Sequence, residues 1–153
     1  MRNVLLSLGL SVLAIGCDSK HRSTPPTQSK TVIRTDPGPI SRRLPSLGTL
    51  QHVEWRSVEV TTNSFPSPPV RPIFKLRGLA HISPELSHRF FGRYQWNQMS
   101  PSWRPEISTT NAALKKWYRS TEFERDCKPE EFPGALFLDP DASVVYFDIE
   151  VER

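Results

Sequence analysis

The sequence predicts a small α+β domain: a small antiparallel sheet with one main helix, one short helix and a C-terminal β-hairpin. Three observations carry this. Extended runs with period-two patterning recur in QHVEWRSVEVTT, PIFKLRGLAHI and LFLDPDASVVYFDIEVE. A proline-led helix start, Ser83-Pro84-Glu85, follows the second run. A helical spacing appears in NAALKKWYRST. Strands, then helix, then a hairpin argue for α+β. A β-sandwich is the alternative arrangement.

Each element has a local reason. Val53, Trp55, Val58 and Val60 make the first run β-prone. NSFPSPPVRP, with four prolines, is a loop. In the second run Phe74, Leu76, Gly78, Ala80 and Ile82 share one strand face, with Lys75 and Arg77 on the other. Ser83 supplies a capping hydroxyl and Glu85 an acid in the first turn of a short helix, which Gly92 soon ends. RFFGRYQW alternates Phe90, Gly92, Tyr94 and Trp96 as a strand would, and MSPSWRPEIS is loop. Thr109 or Thr110 caps the main helix, whose Leu114, Trp117, Tyr118 and Thr121 face the core. Residues 122–134 are acidic and loop-like. The closing hairpin turns at Pro140 and sets Val145, Phe147, Ile149 and Val151 on one face.

The 153 residues suffice for one domain of ordinary size. Hydrophobic content of 37% is low and 15 prolines are many, so part of the chain is expected outside a packed core. The net charge of +4 is unevenly placed. Residues 18–47 carry six basic groups against Asp18 and Asp36, whereas residues 48–153 carry 13 basic against 14 acidic groups. The domain is nearly neutral. The pI of 9.3 is therefore no argument for nucleic-acid binding.

The N-terminus reads as a targeting segment. MRNVLLSLGLSVLAIGC has one early positive charge and an apolar stretch from Val4 to Ile15. That stretch is shorter than the roughly 20 residues a membrane span needs and suits a secretory signal. Leu13, Ala14, Ile15, Gly16 and Cys17 resemble the lipobox of bacterial lipoproteins. The resemblance covers the targeting segment alone, with Ala14 where leucine is commoner. It implies cleavage after Gly16, lipidation of Cys17 and attachment to the outer side of a bacterial membrane. Asp18 resembles the signal that keeps some such proteins at the inner membrane. Two or more acyl chains make a stable anchor.

Three regions are expected: a signal peptide over 1–16, an anchored Pro-rich tether over 17–48, and a domain over 49–153. The tether holds Pro25, Pro26, Pro37, Pro39 and Pro45 and few apolar residues, which predicts disorder. About 30 such residues would reach on the order of 100 Å when straight. Its basic groups suit either anionic head groups or plain solubility. With Cys17 lipidated, Cys127 is left alone. The acids around it in FERDCKPEE predict an inert thiol.

Motifs for catalysis are absent from the sequence: no glycine-rich phosphate loop, no GxSxG, no HExxH. His81, Glu85 and His88 could converge across the short helix, as in a small hydrolase or metal site. Asp139, Asp141, Ser143 and Glu150 fall at places 1, 3, 5 and 12 of a calcium loop, but Val144 stands where glycine is needed. A hairpin turn with exposed aspartates is expected instead. No cofactor or metal is expected.

Charge is segregated along the chain. Residues 71–119 hold nine basic groups against Glu85 and Glu106, and residues 120–152 hold ten acidic groups against Arg125 and Lys128. Either the two stretches complement each other within one sheet, or they form two faces that steer partners. In HRFFGRYQWNQMSPSWR, Arg89, Arg93 and Arg104 interleave with Tyr94, Trp96 and Trp103. Arginine beside aromatics is the composition of binding hot spots. These six residues are the candidate partner site on a non-enzymatic binding or adaptor domain. The partner would be an envelope protein, or an acidic or sugar polymer, with nucleic acid not expected. An immunity or inhibitor lipoprotein, using the acidic C-terminal segment, is a further alternative.

Overall fold

The computed structural model describes residues 32–60, 73–107 and 116–152. In chain order they form helix α1 (Gly38–Arg43), a 3-10 turn (Pro45–Leu47), strands β1 (His52–Val60) and β2 (Ile73–His81), and helix α2 (Pro84–Arg93). Two short strands follow, β3 (Asn97–Gln98) and β4 (Tyr118–Arg119), then helix α3 (Thr121–Cys127) and the hairpin β5 (Gly134–Asp139) and β6 (Val144–Glu152). The sheet is antiparallel throughout, in the order β1-β2-β6-β5-β4-β3. The fold is α+β, with two main helices and one short one.

The helices lie on one face of the sheet. Leu76 and Ala80 of β2, Leu136 and Leu138 of β5 and Val145, Phe147 and Ile149 of β6 point to that side and are buried. The face assignments for β2 and the hairpin follow from the two-residue side-chain period. Gly78 sits mid-sheet because a Cβ there would lie 2.6 Å from that of Trp55 and 2.5 Å from the Phe147 ring. At the hairpin turn, Asp139 is buried, not exposed, and accepts from the Ala142 N–H at 3.1 Å. Asp141 is exposed, and Ser143 closes the turn at φ 56°.

The Pro-rich segment departs most from expectation. Residues 32–48, expected in the disordered tether, fold onto the domain. Arg34 and Trp55 exchange two backbone hydrogen bonds of 2.7 and 2.8 Å. Ile40, Leu44 and Leu47 have no exposed surface and belong to the main core. Their spacing of four and three residues is helical. Pro37 and Pro39 lie at the start of α1, where a missing N–H is tolerated, and Pro45 opens the 3-10 turn. The prolines punctuate short elements and do not forbid them. Residues 17–31 lie outside the described residues, as do 1–16.

Two further elements differ. α2 continues through Gly92, so Phe90 is on a helix and RFFGRYQW is not a strand. Ser83 caps it as expected, accepting from Leu86 N–H at 3.2 Å. The helix expected around residues 111–121 does not include its C-terminal part. Trp117 is buried ahead of β4, and Tyr118 and Arg119 pair with Leu138 and Phe137 of β5. Strand pairing overrides the local helical spacing here. Helix α3 begins after Ser120, whose hydroxyl accepts from Phe123 N–H at 3.3 Å, and it occupies the acidic stretch expected as loop. Thr109, Thr110 and Leu114, and the loop 63–72, lie outside the described residues.

The segregated charges pair internally. Lys75 and Arg77 bond Asp148, Arg93 bonds Asp126, Lys116 bonds Asp141, and Arg119 bonds Glu124. Each pair joins the basic stretch to the acidic one. Complementation within one fold accounts for a large part of the segregation.

Candidate functional site

The structure separates the six arginine and aromatic residues. Tyr94 and Trp96 lie on the helical side, with ring centroids 5.7 and 5.1 Å from Phe123. The Trp96 indole N–H donates to the Phe91 carbonyl at 3.1 Å. Arg93 stacks over Tyr94 at 5.2 Å and reaches Asp126 at 3.4 Å, while Arg89 is exposed. Trp103 is on the opposite face of the sheet, 4.5 Å from Phe137 and 5.7 Å from Tyr146. The expected patch is therefore not one surface. The sheet divides it, because α2 ends at Arg93 and the chain crosses β3 before reaching Trp103.

The open face carries the better candidate. There a groove of about 420 Å³ is floored by β2, β6 and β5 and walled by Trp103, Arg104 and Glu106. Its aromatic end consists of Trp103, Phe137 and Tyr146, with Arg119 5.7 Å above the Phe137 ring. Its charged end is built by strand register. Arg77 stands opposite Asp148 and Lys75 opposite Glu150. Arg77 Nε donates to Asp148 Oδ2 at 3.0 Å, and Arg77 Nη1 also bonds Glu106. Asp148 Oδ1 faces the Lys75 ammonium at 3.4 Å but has no hydrogen bond among the described residues. The Lys75 ammonium is therefore the charge that compensates this buried oxygen.

Two details fix the groove's lining. Gly134, at φ 129°, lines it, and a Cβ there would collide with the Asp148 carbonyl on β6, so only glycine lets β5 approach β6 this closely. Arg119 is fixed from behind by Glu124, which accepts at 2.8 and 3.3 Å. Burial, and then the Asp148 charge, push the Tyr146 phenol up to about 12. Tyr146 therefore faces the groove as a neutral hydroxyl at physiological pH.

The histidine group is not assembled. His81 lies 5.4 Å from His52, and His52 is 3.4 Å from Glu54. Burial, and then His52, push the His81 pKa down. Glu85 is held low by its own backbone N–H and by Ser83. Among the described residues His81, Glu85 and His88 share no hydrogen bond or ion pair, and no group of three or more His, Cys, Asp or Glu side chains could hold a metal ion. Cys127 is buried, and burial followed by Asp126 pushes its thiol up to about 12. No described helix is long and apolar enough to cross a membrane.

Of the groove's lining, Trp103 and Arg104 were among the six residues expected from sequence, whereas Phe137, Tyr146, Asp148 and Arg119 were not. Alternation in β6 did place Tyr146 and Asp148 opposite the core face. What joins them to Trp103 is the pairing of β6 with β5 and the crossing of the 99–107 segment, which local pattern does not encode. Comparison with protein-family models, with curated proteins and with solved structures returns no match.

Proposed function

We propose that this chain is an envelope lipoprotein, lipidated at Cys17, whose domain is a non-enzymatic binding module for a protein or glycan partner. The lipobox-like LAIGC supports the anchor. The open-face groove supports the binding role and is the observation that carries it. An indole at one end offers stacking area, and charges of both signs offer hydrogen bonds at the other. Lys75, Arg104 and Glu150 line the groove with charges of both signs. A mixed lining of this kind suits a polar chain, such as a peptide segment or a sugar polymer, better than a purely acidic polymer.

Two measurements test the two parts separately. Intact mass of the membrane-extracted protein should show a chain beginning at a lipid-modified Cys17, with Cys17→Ala unmodified. A photo-crosslinking side chain at position 104, in the groove, should capture an envelope partner. The same group at position 89, on α2, should not. Equal capture at both positions, or none at 104, would remove the groove as the binding site.

A further inference from the structure

A second cavity, of about 370 Å³, lies where the N-terminal segment crosses the sheet on its helical side. Its charged lining is Arg34, Arg42, Arg43 and Glu152, three cations against one anion. Among the described residues none of the three arginines has a carboxylate within ion-pair distance. Arg43 donates to the Pro39 carbonyl at 3.1 Å, and Arg34 lies 5.1 Å over the Trp55 ring. These contacts aim the Arg43 and Arg34 guanidinium groups without neutralising them, and the Asp36 carboxylate lies on the same side of Gly38 as the Arg42 guanidinium but outside ion-pair distance. Beneath the arginines the walls are apolar, with Trp55 and Phe74 foremost.

A cationic rim over an apolar floor selects an amphiphilic anion. Guanidinium matches phosphate geometry through paired donors, and the floor suits the first carbons of a lipid. Val32 and Ile33, immediately before Arg34, are 65% and 44% exposed, so apolar side chains continue outward from the rim. We propose that this cavity binds the phosphodiester head of an anionic phospholipid, docking the domain on the bilayer surface. Proximity to a bilayer rests on the anchor reading above. The cavity's preference for the lipid does not.

The test uses the full chain carrying Cys17→Ala, so that no acyl group contributes, held in nanodiscs of phosphatidylcholine alone or with about one third phosphatidylglycerol. Hydrogen exchange is read on peptides covering residues 34–44, with α3 as the internal control. Anionic discs should slow exchange in 34–44 by about tenfold, the effect of one charge-assisted hydrogen bond, and leave α3 unchanged. Arg34→Gln with Arg42→Gln, both exposed positions, should abolish the difference. Should that variant lose its fold, raised salt on the unmodified arginines should abolish it instead. Equal exchange in the two discs would overturn the proposal. The same protection from inorganic phosphate in neutral discs would also overturn it, because the site would then recognise free anion and not lipid. An unlipidated Cys17 in the mass measurement would refute the anchor and leave this result standing.

Discussion

Leu44 lies in a segment whose composition reads as unstructured, yet its side chain has no solvent exposure. Leu44→Ala removes the Cγ and both Cδ carbons from the interface of α1 with the sheet. Such a change costs about 2–5 kcal/mol, more where the site cannot collapse. Leu44 is flanked by Ile40 and Leu47, also fully buried, and all three belong to one core cluster. Neighbours in one cavity do not add simply. Losing all three is still on the scale of the roughly 5–15 kcal/mol that holds a whole domain together. A chain beginning at Thr49, where composition alone would place the domain boundary, should therefore lack a cooperative unfolding transition. A chain beginning at Val32 should keep one. Urea titration followed by tryptophan fluorescence reads this directly, since Trp55 packs in the same core. Equal midpoints for the two truncations, or a Leu44→Ala cost below about 0.5 kcal/mol, would show that the segment contributes nothing and that the packing argument fails.

Glu124 accepts from both Arg119 and the buried Leu136 N–H at 3.1 Å, so Glu124→Ala orphans a backbone donor and should cost about 2–3 kcal/mol by urea unfolding. Arg119→Ala removes only a half-exposed partner and should cost about 1 kcal/mol or less, and equal costs would contradict this account. Cys127 and Tyr146 are both pushed up to about 12, so the folded chain keeps their protons while the unfolded chain loses them above the ordinary values of 9.0 and 10.0. Stability should be full below pH 9 and fall toward pH 12, by up to about 1.4 kcal/mol per pH unit for each group titrating, with the Cys127→Ala variant losing its share of the slope. Asp139 is committed to the turn N–H of Ala142, so a calcium titration should show no saturable binding below about 1 mM.

The strands were legible because side-chain alternation is a local signal, and it set the faces of β2 and β6 correctly. The Ser83 cap was legible for the same reason: hydroxyl, proline and acid act within one turn. Legibility failed where a long-range partner decides. Trp117 and Tyr118 have helical spacing, but β5 recruits residue 118 into the sheet. Ile40, Leu44 and Leu47 were hidden by the prolines among them, although their spacing marked a buried stripe. The groove needed more still, since its walls come from the 103–106 segment and its floor from three strands. Only the finished register brings Arg77 against Asp148 and Trp103 over Phe137.

The early start of the folded part changes what an anchor at Cys17 would do. With residues 32–48 packed on the sheet, residues 18–31, 14 in number, separate the proposed anchor from the domain. Pulled straight they span roughly 50 Å, about half of what the full Pro-rich stretch would allow. Halving the linker's length raises the domain's effective concentration at nearby ligands roughly threefold, because that concentration falls as about the −3/2 power of length. A partner embedded in the same membrane leaflet would then be met as an almost intramolecular neighbour. One held further off than the straight linker plus the width of the domain would be out of range altogether.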